Sequence, residues 1–201
     1  MKKLIALLLA LVLVMGLVAC GEKTPENPTE EPTAAPTDAP TEAPAPAGPA
    51  SALELLQTVW ALYTDDEKFP VFGGDGLNMV DGAPGAYTDM EGLESQLLVP
   101  ADKQGDVTEI ASLFHGMMLN NFTCGAFKLA EGVDAAAFAD VMKEAVTNNR
   151  WMCGFPEKYM VAIVGDCVVL VFGLNDAVNP FEAKLVEAYP DTVVKYSEAL
   201  A

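Results

Sequence analysis

The chain has 201 residues and a formal charge of −18, from 29 acidic and 11 basic side chains. Phosphate neutralisation needs clustered Lys and Arg, so nucleic-acid binding is excluded, and one histidine leaves little room for His-based catalysis or multi-His metal sites. The charge is unevenly placed: +2 over residues 1–19, −5 over 20–50 and −15 over 51–201.

Lys2 and Lys3 precede an apolar run from Leu4 to Met15, followed by Leu17-Val18-Ala19-Cys20. A basic start, a short apolar core and small residues before a cleavage point make a signal peptide over 1–19. The tetrapeptide resembles the lipobox of bacterial lipoproteins. That resemblance implies a diacylated Cys20 as mature N-terminus, and two acyl chains suffice for stable anchoring. The expected location is the extracytoplasmic face of the cell membrane, with the membrane as a partner through the lipid.

Residues 21–50 hold eight prolines and no aromatic or large aliphatic side chain. Such a Pro/Thr/Glu-rich segment cannot bury enough apolar area to offset its chain entropy. A disordered stalk over 20–50 is expected, reaching up to about 90 Å if extended.

A single acidic domain over 51–201 follows. Ser51-Ala-Leu-Glu54 is a capping box that predicts a helix to about Tyr63. Residues 69–105 read as loop, with glycines at 73, 74, 76, 82 and 85 and a short strand at Leu97–Val99. Asp106-Val-Thr-Glu109 reads as a second capping box. Val107, Ile110, Ala111, Phe114 and Met118 would then share a helical stripe ended by Asn120-Asn121. Beyond it come a strand at 122–129, a helix capped by Asp134, and a strand at 159–164. Gly165-Asp166 makes a two-residue turn into a strand at 167–172. Asn179-Pro180 would cap and open a helix to Tyr189, and a strand at 192–197 would close the chain.

The fold class is therefore α+β, with a ferredoxin-like βαββαβ core over about 122–197. Right-handed crossovers would lay both core helices on one sheet face. The strands at 160–164 and 167–172 are apolar throughout, so both their faces must be buried. The N-terminal helical extension, 51–120, is expected to cover the second face. The rival is a homodimer through that face, so monomer and homodimer both stay open.

A lipobox, an acidic Pro-Thr stalk, Gly125-Ala-Phe-Lys128, an Asp134-led helix and Val164-Gly-Asp-Cys-Val-Val-Leu-Val-Phe172 together resemble a domain-of-unknown-function family. Its members are cell-surface lipoproteins of Firmicutes, clostridia especially. The resemblance spans about 51–201 and implies a location and no assigned catalytic residue.

Candidate chemistry is sparse. Beyond Cys20, three cysteines remain: Cys124, Cys153 and Cys167. At least one must be free or pair between chains. Arg150 and Lys158 near Cys153 leave a redox role open, and a Cys124–Cys167 bridge is conceivable. His115 sits at the edge of the predicted stripe. Asp75, Asn78 and Asp81 offer oxygens, but not at the spacing of a calcium loop, and a glycine-rich connector is the preferred reading. No cofactor is expected. Trp151, Met152 and Phe155 fall in one loop between a helix and a strand, where binding residues often lie. They are the candidate ligand or partner patch. The preferred function is a binding or accessory module at the cell envelope, with a small carboxylate-based hydrolase and a metal- or redox-responsive sensor as alternatives.

Overall fold

The computed structural model describes residues 48–200, so the signal segment, Cys20 and nearly all of the stalk lie outside the described residues. The domain is one eight-stranded antiparallel sheet with helices on both faces. Helix α1 (Ala52–Ala61) begins at Ser51, whose Oγ accepts the amide of Glu54 at 3.0 Å. Short strands β1 (Val71–Gly73), β2 (Val80–Asp81) and β3 (Gly85–Ala86) follow, then helix α2 (Leu93–Leu97). The long strands are β4 (Val107–His115), β5 (Phe122–Leu129), β6 (Lys158–Val164), β7 (Cys167–Gly173) and β8 (Val193–Ala199). Helix α3 (Ala135–Asn148) joins β5 to β6, and α4 (Asn175–Ala188) joins β7 to β8.

The sheet runs β2-β1-β4-β5-β7-β6-β8, with β3 also pairing β4. The βαββαβ element order holds from β5 to β8, but the last strand lies beside β6, whereas a ferredoxin-like sheet would place it beside β5. Strand β4 occupies that position instead. The consequence is topological. Both crossovers advance across the sheet in the same direction but leave from antiparallel strands. Right-handed connections must then put α3 and α4 on opposite faces, not together as expected from the sequence.

The packing agrees. Val178, Phe181 and Leu185 of α4 share a core with Leu55, Leu56 and Val59 of α1. Phe138, Met142 and Val146 of α3 share the other with Leu93 and Leu97 of α2. Strand β7 divides between them: Cys167, Val169 and Val171 face the first core, Val168, Leu170 and Phe172 the second. Continuous apolar strands and two covered faces are thus one fact, met by four helices of the same chain. The open face that a homodimer was to cover is filled by α1 and α4.

Three local expectations are overturned. Residues 107–115 form strand β4, not a helix: Ile110 and Phe114 face one core, Ala111 and Leu113 the other. An apolar run of that length fits either period, and burial on both faces decides for the strand. Thr108 bulges out of the pairing with β5, where Val107 opposes Leu129 and Glu109 opposes Lys128. Leu97 ends α2 rather than opening a strand, and Leu98 closes it in the left-handed region at φ 61°. Pro180 lies inside α4, five residues past its start, and Asn179 is helical rather than a cap. The true start is secured from elsewhere: the Glu157 carboxylate accepts both the backbone amide and the side-chain amide of Asn175 at 2.9 Å.

The two ends of the sheet differ. At one lies the Gly165-Asp166 hairpin, with the first turn of β4 and the end of β5. The chain enters the domain there: Gly48 packs on Gly165, and Lys128 Nζ donates to the Ala50 carbonyl at 2.6 Å. At the other, distal end, β4 finishes at His115, β5 starts at Phe122, β6 at Lys158, and β7 finishes at Gly173. The eight residues of β5 separate the ends by roughly 23 Å.

Candidate binding site at the distal loops

Two connections meet at the distal end: residues 116–121 between β4 and β5, and 149–157 between α3 and β6. Asn120 fastens them. Its side-chain amide donates to the carbonyls of Met152 at 3.2 Å and Gly154 at 3.0 Å, the two residues flanking Cys153. The Met118 sulfur packs on Gly154, where a built β-carbon would lie 2.9 Å away. His115 sets the first loop by accepting the amides of Met117 and Met118 on Nδ1, while its ring stacks on Phe69 at 5.5 Å.

This end holds five of the large apolar side chains that the cores leave out. Met117 is 82% exposed, Met152 78% and Phe155 75%, with Met118 and Leu119 also exposed. Exposed hydrophobic residues clustered in this way mark interaction surfaces more often than isolated ones do. Of the predicted trio, Met152 and Phe155 lie on the surface, whereas Trp151 is half-buried with its ring 4.9 Å from Phe172. Trp151 therefore buttresses the loop. Met117, Met118 and Leu119 are the surface residues that sequence reasoning missed, because the stretch reads as a helix with Met118 on its apolar stripe. Charge marks the same place. Residues 110–130 and 145–156 contain no Asp or Glu, in a domain with 23 acids, and the single arginine of the chain, Arg150, lies among them.

The other sequence candidates resolve differently. Asp75 is 3% exposed and its carboxylate is saturated. Oδ1 accepts the amides of Leu77 and Asn78, and Oδ2 accepts the amide and hydroxyl of Thr88 and the amide of Asp89. Burial alone would raise its pKa. The Thr88 hydroxyl and the amides of Thr88, Leu77 and Asn78 outweigh it and hold the group well below the ordinary carboxylate range. Asp75 is a fastener for the loop between β1 and α2. Asn78 donates to Thr88 Oγ1, and Asp81 is exposed in β2. Among the described residues, no three His, Cys, Asp or Glu side chains converge to hold a metal ion. The glycines serve close backbone approach: a β-carbon on Gly85 would lie 2.5 Å from the Gly74 amide nitrogen.

Cys124, Cys153 and Cys167 are free. Cys124 opposes Val171 and Cys167 opposes Lys128, four positions apart and roughly 13 Å along the strands, too far for a bridge. Burial raises the Cys124 thiol pKa, and burial with the neighbouring Asp166 carboxylate pushes Cys167 up to about 12. Cys153 alone is exposed, at φ 62°. Lys158 is committed elsewhere, to Asn179 at 2.7 Å and Glu182 at 2.9 Å.

A concavity of about 520 Å³ lies beside the outer edge of β4, lined in part by Leu53, Tyr87, Met90, Thr108, Glu109 and Ile110. The Tyr87 hydroxyl is buried without a partner, and burial with the nearby Asp89 and Asp75 pushes it up to about 12. Glu109 is the one carboxylate in that lining, short of the pair a glycosidase-type hydrolase uses. Among the described residues no helix is long and apolar enough to cross a membrane. No protein-family model, curated protein or solved structure matches the chain.

Proposed function

We propose that the chain is an exported lipoprotein, anchored through lipid on Cys20 at the extracytoplasmic face and related to the clostridial lipoproteins it resembles. Its acidic α+β domain is a binding or accessory module of the cell envelope, held off the membrane by residues 20–50. The observation that supports binding is the distal surface of Met117, Met118, Leu119, Met152 and Phe155, exposed on two loops fastened by Asn120. It lies at the end of the sheet opposite the one where the chain enters, so a tethered domain presents it outward. The surrounding −15 keeps the domain soluble and repels anionic lipid, leaving the acid-free stretches 116–121 and 149–156 as the contact surface.

Two measurements test this reading in the native host. Cys20→Ser should abolish palmitate labelling of the chain; labelling that persists in that variant would refute lipid anchoring at Cys20. Cross-linked full-length chain should capture envelope material that a Met152→Asp/Phe155→Asp chain does not. Identical capture by both would remove the distal surface from the reading.

A further inference from the structure

The distal loops carry four sulfur-bearing side chains, Met117, Met118, Met152 and Cys153, none of them in either core. The two loops are positioned relative to each other. Asn120 binds the carbonyls on both sides of Cys153, and the Met118 sulfur lies against Gly154, the next residue. Cys153 is held at φ 62°, a left-handed conformation that a residue with a β-carbon rarely adopts. The Asn120 bonds hold that turn in place, and the cysteine remains exposed rather than packing inward.

From this arrangement we propose that the distal end binds one soft monovalent cation, Cu(I), through the thioethers of Met118 and Met152 and the thiolate of Cys153, with Met117 as a further thioether donor. The inference names a ligand for the surface described above and rests on that placement of the site, though not on protein docking. The chemistry is selective. Thioether and thiolate sulfur prefers soft ions, whereas calcium and magnesium require carboxylate and carbonyl oxygen. The two loops hold one carboxylate, Glu157, and it is taken up by the backbone and side-chain amides of Asn175. One thiolate balances one positive charge, and the thioethers add donors without adding charge. Cys124 and Cys167 do not compete, since burial keeps both protonated. On binding, the Cys153 S–H bond breaks, a sulfur–copper bond forms and the proton leaves to solvent. No electron is transferred.

The test uses full-length chain carrying Cys20→Ser throughout, so that the residue 20 thiol contributes nothing. Cu(I) is competed against bicinchoninate under reducing, oxygen-free conditions, and Ag(I), its redox-inert counterpart, is counted by native mass spectrometry. One ion per chain is expected. Met118→Leu and Met152→Leu keep the apolar surface and remove sulfur, and each should weaken binding at least about tenfold. Cys153→Ser should weaken it further, with melting temperatures of all variants unchanged. Binding no tighter than that of the Cys153→Ser chain overturns the proposal. So does binding lost in Cys153→Ser yet indifferent to both leucine variants, which is a lone reactive thiol. Partner capture that survives both leucine variants while Cu(I) binding is absent overturns the metal site and leaves the docking surface standing.

Discussion

Replacing Asp75 by asparagine keeps the shape of the side chain and removes one acceptor oxygen. The carboxylate receives five hydrogen bonds, two on Oδ1 and three on Oδ2. Whichever way the amide is turned, its NH2 group faces at least two backbone N–H donors. Each donor left unsatisfied in a buried setting costs about 1–3 kcal/mol, so the variant should lose roughly 3 kcal/mol. For a domain of this size that is a fall of roughly 6–12 °C in melting temperature. Urea unfolding followed by the fluorescence of Trp60 and Trp151 measures it. The pH dependence is the sharper test. The folded Asp75 pKa lies well below that of the unfolded carboxyl, about 3.9. Its contribution is therefore complete above the unfolded value and is lost as pH falls through the folded one. The stability gap between wild type and Asp75→Asn should be constant from pH 7 to 5 and shrink on descent from pH 4 toward 2. An unchanged midpoint at pH 7, or a gap that stays flat into acid, would refute the assignment of Asp75 as the loop's anion.

Phe181→Ala and Phe138→Ala remove fully or almost fully buried rings from opposite faces, and each should cost about 3–5 kcal/mol in urea unfolding; a cost under about 1 kcal/mol for either would mean that its face is not a core. In a Cys20→Ser chain at pH 8, Ellman's reagent should titrate one thiol, Cys153, in the folded state and three after denaturation. A second fast thiol would contradict the burial of Cys124 and Cys167. Gly85→Ala must push apart the backbones of residues 73–74 and 85 and should destabilise by about 1–3 kcal/mol. Gly76→Ala, with nothing within 4 Å of the added carbon, should be close to neutral. Equal effects from the two would remove the close-approach argument.

The second half of the domain was legible because its signals are local. Asp134 does accept the amides of Ala136 and Ala137, and Gly165-Asp166 does join two strands in register from Val164↔Cys167 onward. Sheet order is not a local property. Nothing in residues 122–199 says which flank receives β8, and that choice decides whether α3 and α4 share a face. Strand β4 was misread because the stretch from Ile110 to Phe114 is apolar at almost every position, and such a run shows no period of its own. The error propagated to the candidate site. With 107–118 taken as a helix, Met118 belonged to its buried stripe, and its meeting with the Met152–Phe155 loop was out of sight. That loop itself was readable, since aromatic residues and methionine between a helix and a strand stand out by composition. Trp151 looked equivalent to its neighbours in sequence, and only the packing on Phe172 separates it from them.

The entry of the chain at the hairpin end has a mechanical consequence. Under the proposed lipid tether, tension to anything held at the far end would run parallel to the long strands. Such a load enters through residues 48–51 into α1 and bears on the packing between that helix and the sheet. The helix runs from its cap at Ser51 to the aromatic cluster of Trp60, Tyr63 and Phe69. Pulling on its first turn must slide Leu55, Leu56 and Val59 across the sheet at once. A tether attached there would set the long axis of the sheet along the line of pull.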